Sequence, residues 1–402
     1  MTIKSSIKGF DRRTLIKGSA LSVASLAITG GYPSILRATT TPIKIGIFLP
    51  YTGTYAKLGS NIKDALILKI EENGGGVSGR KVEFVNIDSE MNVSKSTERI
   101  NKLILRDKFD FLVGPVHSGI GMNMARIARK SGTILIVPNA GANEITGKFC
   151  APNIFRTSFS SWQTAYPAGK VLLEDGMKRV VLIYWNYAFG KQTADAFRES
   201  FEKGGGRIIA DIPTPFPKSE FQSFFTKIAA LEPDAVFTFY SGGGAIQFMK
   251  DFKRAGLNRR IKLYSTFLTE GTAKAAGDAS EGIRSTLHYA TTLKNSMNER
   301  FKSVFLKKTG QEADVFAVQG YDAGELIIQG LKRTGGDTVS QKRLIEAMES
   351  SKIQSPRGEI TFSKAHNPIQ DIYLREVING ENEMIKIAME KVNDPALGCE
   401  LI

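Results

Sequence analysis

The sequence predicts an α/β protein built as two doubly wound lobes, and three observations carry that expectation. Short β-branched or apolar runs alternate with amphipathic stretches from residue 42 onward, joined by connections of a few residues. The runs stop at Gly, Pro, Ser or Asn, as buried parallel strands do where they deliver a polar loop. The alternation restarts after residue 150, and 402 residues at 42% hydrophobic and 23% charged are enough for two cores of ordinary size.

In chain order, PIKIGIFLP over 42–50 reads as a strand, and the apolar positions Ala65, Leu66, Leu68 and Ile70 mark a helix ended by the glycines at 74–76. A strand over 81–87, a helix over 94–106 and a strand over 109–113 follow. A helix over 122–130 then separates two strand ends, FLVGPVHSG at 111–119 and LIVPNAGA at 135–142. The second lobe reads as strands at 180–184, 207–212, 234–240 and 261–264, with helices at 191–203, 221–231 and 245–255 between them. Two long amphipathic helices at 295–308 and 316–334, a shorter one at 340–350, and paired strands at 358–362 and 369–378 complete the chain.

Residues 1–38 read as an export signal. A basic stretch with Arg12 and Arg13 precedes a small, apolar run over 18–31, the pattern of a twin-arginine signal, with a general secretory signal or a retained anchor as the alternatives. Removing that segment takes six basic residues and one acidic residue from a net charge of +14, leaving +9. The remaining basic residues interleave with acids on helical segments, and no aromatic and Arg/Gly repeat accompanies them. That pattern predicts a solvated basic surface and no nucleic-acid partner. In an exported chain the two cysteines, Cys150 and Cys399, read as one disulfide, two free thiols being the alternative.

Signs of catalysis are weak. GGGVSGRK over 74–81 lacks the Lys-Ser/Thr order of a phosphate loop and opens a strand, so it reads as a helix stop and turn. His117, His288 and His366 have no metal-ligand spacing, which predicts no metal site and no cofactor. His117 and Ser118 are adjacent on an extended strand end and point opposite ways, which argues against a nucleophile pair. The two strand ends are instead the expected functional centre, since open α/β sheets bind ligands at the carboxyl ends of their strands. Ser118 is expected at a helix N-cap, where free N–H groups suit a carboxylate, with a plain cap as the alternative. Asn139, Ala140 and Gly141 offer a small backbone that a ligand can approach.

GPVHS at 114–118, the stretch 138–146, FG at 189–190, GDASEG at 277–282 and QGYDA at 319–323, with the opening segments 42–59 and 74–80, together resemble the solute-binding proteins of ABC importers. The branch is the Leu/Ile/Val-binding-like one. GKFCAPN at 147–153, SWQ at 161–163 and NPIQDIYLRE at 367–376 resemble its aromatic-carboxylate sub-branch, where a matching pair of cysteines also occurs. The resemblance implies a type I periplasmic binding protein: two Rossmann-like lobes joined by three hinge crossovers, near Phe159, Tyr289 and Ile353. It divides the chain into a signal (1–38), a first lobe (42–158 plus 290–352) and a second lobe (159–289 plus 353–402). It also implies a non-enzymatic, periplasmic monomer that hands a small carboxylate to an inner-membrane ABC permease.

Carried over residue by residue, Ser118 matches the carboxylate-binding serine and Asn139 and Gly141 the contacts beside it. His117 adjoins them. Phe189 matches an aromatic contact from the second lobe and Tyr240 to Gly242 align with another, within about one residue, while Tyr55 and Leu58 fall in the first loop. Amino-acid binders of the family pair the ligand ammonium with an acid, but the aligned residues 265–267 are Ser-Thr-Phe, with Glu270 close by. That departure implies a ligand without an amine, walled by Tyr55, Trp162, Trp185, Phe189, Tyr240 and Phe267. A branched-chain amino-acid or amide binder, or a ligand-sensor domain, is the alternative.

Overall fold

The computed structural model describes residues 41–402 apart from Ser219, so the expected export signal lies outside the described residues. The first lobe begins with β1 (Ile43–Leu49), α1 (Ala56–Glu72), the two-residue β2 (Gly76–Val77) and β3 (Arg80–Asp88). It continues through α2 (Val93–Lys102), β4 (Phe111–Val113), α3 (Ser118–Ser131), β5 (Ile134–Val137) and β6 (Ile154–Arg156). The sheet order is β2-β3-β1-β4-β5-β6, parallel throughout except for β2. Both faces of this sheet are buried, which is why its strands read as unbroken apolar runs. Ile45, Ile47, Ile134 and Ile136 pack into one core, while Phe48, Leu112, Leu135 and Val137 point into the other.

The second lobe starts with α4 (Ser161–Glu174), whose Ser160 and Gln163 form a reciprocal capping box, and β7 (Arg179–Trp185). Next come α5 (Ala188–Lys203), β8 (Arg207–Thr214), α6 (Gln222–Leu231), β9 (Ala235–Phe239) and α7 (Gly242–Arg254). Then follow β10 (Lys262–Thr266), α8 (Glu270–Ala276) and β11 (Arg284–Leu287). After α9 (Ser296–Thr309), α10 (Val315–Thr334) and α11 (Gln341–Glu349), the chain ends in β12 (Ile353–Ser355), β13 (Gly358–Phe362), β14 (Pro368–Ile378) and β15 (Glu381–Val392). This sheet runs β12-β13-β14-β11-β10-β9-β7-β8, with β15 pairing β14, and it is mixed because β12 to β15 are antiparallel.

Several elements exceed the sequence expectation. α4 carries Pro167 and Gly169, which mask its helical pattern, and the capping box outweighs them. β6 and β11 are three and four residues long with polar ends, and β15 is an edge strand that alternates charged and apolar residues.

The chain passes between the lobes three times: from β6 to α4, from β11 to α9, whose successor α10 packs on α1 of the first lobe, and from α11 back to β12. Two buried arginines bind these passages. Arg357 pairs with Asp322 of α10 at 2.8 Å and donates to the carbonyls of Thr157 and Ser158 in the first passage. Arg375 pairs with Glu270 at 3.2 Å and donates to the carbonyl of Tyr289 in the second. Cys150 and Cys399 form a disulfide that returns the tail beyond β15 to the first lobe.

Candidate functional site

In both sheets the chain reverses direction of travel at one strand: β1 lies between β3 and β4, and β7 lies between β8 and β9. Ligands of open α/β sheets bind at such switch points, outside the carboxyl ends of the strands. The loops after β1, β4 and β5 face those after β7, β9 and β10 across one cavity. Its polar contributions come from Ser118, Asn139, Gly141 and Ser241, and its walls from Leu58, Val116 and a set of aromatic rings. Phe159 and Phe267 lie 4.7 Å apart, Phe189 and Phe239 4.5 Å, and Phe267 and Phe316 5.9 Å between ring centres. The Tyr55 and Tyr187 hydroxyls meet at 3.2 Å across the two lobes. The enclosed volume is about 20 Å³, room for roughly one water, so a ring-sized ligand enters only when lobes or rings part.

Each polar group at the strand ends has a defined setting. Ser118 is the first residue of α3, not its cap: His117 holds the cap position, and its Nδ1 accepts from the Gly119 N–H at 3.1 Å. The reason is geometric, because His117 is the last extended residue and its ring folds back over the first turn. The Ser118 hydroxyl makes no hydrogen bond among the described residues, although the residue is only 2% exposed. His117 stacks on Tyr187 at 5.2 Å and lies outside the cavity lining, and burial lowers its pKa to about 4. Asn139 donates to Gln319 at 2.7 Å, and Gln319 in turn meets His288 at 3.3 Å.

Gly141 has no room for a side chain, since a Cβ would lie 2.3 Å from the Phe189 ring of the opposite lobe. Ala140 is buried beneath the loop rather than lining the cavity. Under that loop lies Arg156, fully buried. Its Nη1 donates to the Ala140 and Phe159 carbonyls at 2.7 and 2.8 Å, and its Nη2 to the Ala142 carbonyl at 2.7 Å and the Thr146 hydroxyl at 3.1 Å.

Of the residues expected from sequence, Tyr55, Leu58, Ser118, Asn139, Gly141, Phe189 and Phe267 line this cavity together. Tyr240 does not. It packs against Trp185, Phe221 and Phe248 in the second-lobe core, and its hydroxyl meets Thr214 at 3.0 Å. Neighbouring residues at a strand end face opposite ways, so Phe239 and Ser241 take the cavity side instead. Trp162 lies on an outer flank, stacked on Tyr166, with its indole N–H on Glu199 at 3.2 Å. Trp185 is core. Glu270 faces a separate groove; burial raises its pKa to about 7, which pairing with Arg375 opposes.

Phe239 and Ser241 lie within the one-residue margin of the expected second-lobe contact at 240–242, whereas Phe159, Tyr187 and Phe316 were not expected there. Strand alternation through β9 was the available signal for Phe239 and Ser241. Phe316, at the start of α10 and distant in sequence, carried none.

Comparison with known proteins matches this architecture. Residues 42–382 fit the periplasmic binding protein family. A solute-binding protein of an ABC transporter from R. palustris, solved in complex with benzoate, is 44% identical over 89% of this chain and 99% of its own, with a TM-score of 0.87. A second from R. palustris, in complex with 4-hydroxybenzoate, is 30% identical over the same shares, with a TM-score of 0.83. The Leu/Ile/Val-binding protein homolog 6 of Brucella melitensis is 29% identical over 95% of this chain and 98% of its own length. Two mixed α/β lobes around a cleft at their switch points, matched to that family over nearly all the described residues, place the chain among the periplasmic binding proteins of the Leu/Ile/Val-binding type, a family of solute-binding proteins.

Proposed function

We propose that this chain captures a small aromatic carboxylate of the benzoate or cinnamate type between its lobes and hands it, as a monomer, to an inner-membrane ABC permease after export by its twin-arginine leader. The observation that carries the reading is the composition of the cavity: a polar end at Ser118, Asn139 and Gly141, and walls of aromatic rings from both lobes. A flat ring satisfies such walls and a carboxylate satisfies that end. Among the described residues no acid lines the cavity, and the nearby Glu270 is held by Arg375, so a ligand ammonium would be buried without a counter-charge. The R. palustris neighbours in complex with benzoate and 4-hydroxybenzoate support the same ligand class.

The relatives named for Leu, Ile and Val supply the competing ligand. The test is a thermal-shift screen of protein refolded without ligand, against benzoate, 4-hydroxybenzoate, cinnamate, leucine, isoleucine and valine. A ligand selective for the native state raises its apparent stability, by about 2.7 kcal/mol at a hundredfold excess over Kd. Shifts confined to the aromatic acids are expected. A shift with leucine alone would replace the aromatic reading with the amino-acid one.

A further inference from the structure

Arg156 has no exposed surface, and among the described residues no carboxylate oxygen lies within 4.0 Å of it. Four of its five N–H groups donate, all to uncharged oxygens, and Nε has no partner among the described residues. A buried charge without an opposite charge is costly, and the other two buried arginines described above each have an acid. Arg156 differs from them in what it touches, the loop that edges the cavity.

The Ala140 carbonyl turns down onto the guanidinium, and in a trans peptide the following N–H points the opposite way. That turns the Gly141 N–H, which has no acceptor among the described residues, away from Arg156. The Ala142 carbonyl is held in the same manner, and the Asn143 N–H duly crosses to Gln192 of α5, on the opposite lobe, at 2.7 Å. The same residue thus removes a carbonyl from the cavity edge and strengthens the amide that replaces it, since donation to a peptide oxygen polarises its N–H. Burial disfavours the charged guanidinium, and Asp394 and Glu144 oppose that only from beyond contact distance.

Resting on the aromatic-carboxylate reading above, we propose that Arg156 is the buried counter-charge of the ligand carboxylate, a positioning residue that acts through the Ala140–Gly141 peptide without touching the ligand. Charge in a dry site acts over longer distances than at a surface, so this arrangement favours an anion over a neutral ligand of the same shape.

The experiment compares benzoate with benzamide, its neutral analogue, by calorimetry on the wild type, Arg156→Gln and Arg156→Lys. In Arg156→Gln benzoate is expected to weaken by about tenfold or more and benzamide by less than about threefold. Arg156→Lys, which keeps the charge, is expected to retain the preference for benzoate while both ligands weaken. Equal losses for the two ligands in Arg156→Gln would overturn the proposal and leave Arg156 a support of the loop.

If that variant fails to fold, the wild type still decides by nuclear magnetic resonance. The Gly141 amide proton should move downfield further with benzoate than with benzamide, since a charged acceptor makes the stronger bond, and an equal or absent shift overturns the proposal. A wild type that binds neither ligand overturns the aromatic-carboxylate reading itself, a result distinct from the failure of Arg156 alone.

Discussion

The Ser118 hydroxyl lines the cavity with no hydrogen bond among the described residues, so its removal leaves no described partner unsatisfied. Ser118→Ala is therefore expected to leave the unfolding midpoint in urea almost unchanged. A hydrogen bond to a charged group contributes about 1.5–3 kcal/mol, so the same change is expected to weaken benzoate binding by roughly 10- to 150-fold. An unaltered dissociation constant would remove Ser118 from the site. Ser118 and Gly141 were legible from sequence because each follows directly from where a strand stops. Tyr240 and Trp162 were misplaced for a related reason: which way an aromatic side chain points depends on strand phase and on neighbours such as Phe248 and Tyr166, which composition does not encode.

Two helix starts near the cleft carry titrating groups of opposite sense. His117 caps α3 in its neutral form, with a folded pKa of about 4 against about 6.5 unfolded. The unfolded chain binds more protons between those values, so the contribution of His117 is complete above about pH 6.5 and is lost as pH falls toward 4. Glu270, which accepts from the Val315 N–H at the start of α10 at 3.4 Å, has its pKa raised to about 7 by burial beside Asp314. Its contribution is complete below about pH 4.5 and is lost as pH rises through 7, the reverse sign.

Urea unfolding at half-unit steps from pH 4.5 to 7.5 separates the two. His117→Asn, a cap that does not titrate, is expected to flatten the fall on the acid side, and Glu270→Gln the fall on the neutral side. Each site is limited to about 1.4 kcal/mol per pH unit. Parallel profiles for wild type and both variants would show that neither group is perturbed as described. At this scale the alternation of strands and helices was readable wherever an element was long and apolar. It failed at α4, where Pro167 interrupts the pattern, and at the short strand β11, which gains its place only from the partners β10 and β14.

Across the whole molecule, the two lobes were legible from sequence because each repeats the same alternation, and the three passages fall where the chain leaves one lobe for the other. What local pattern did not supply is how the passages are fastened, by Arg357 and Arg375 reaching residues distant in the chain. The disulfide adds to them, joining cysteines at a sequence separation of 249. A loop of that length constrains the unfolded chain, and the double variant Cys150→Ser/Cys399→Ser is expected to lose about 2–5 kcal/mol in urea unfolding. An unchanged midpoint would show that the tail is held by its noncovalent contacts alone, among them Asp394 on Ser160.

The same bond has a mechanical consequence. From the end of β15 at Val392 to Cys399 the tail spans seven residues, at most about 25 Å of chain, so it acts as a short tether beside the first passage. On that flank the tether caps how far the end of β15 can move from Cys150, whatever the two lobes do elsewhere.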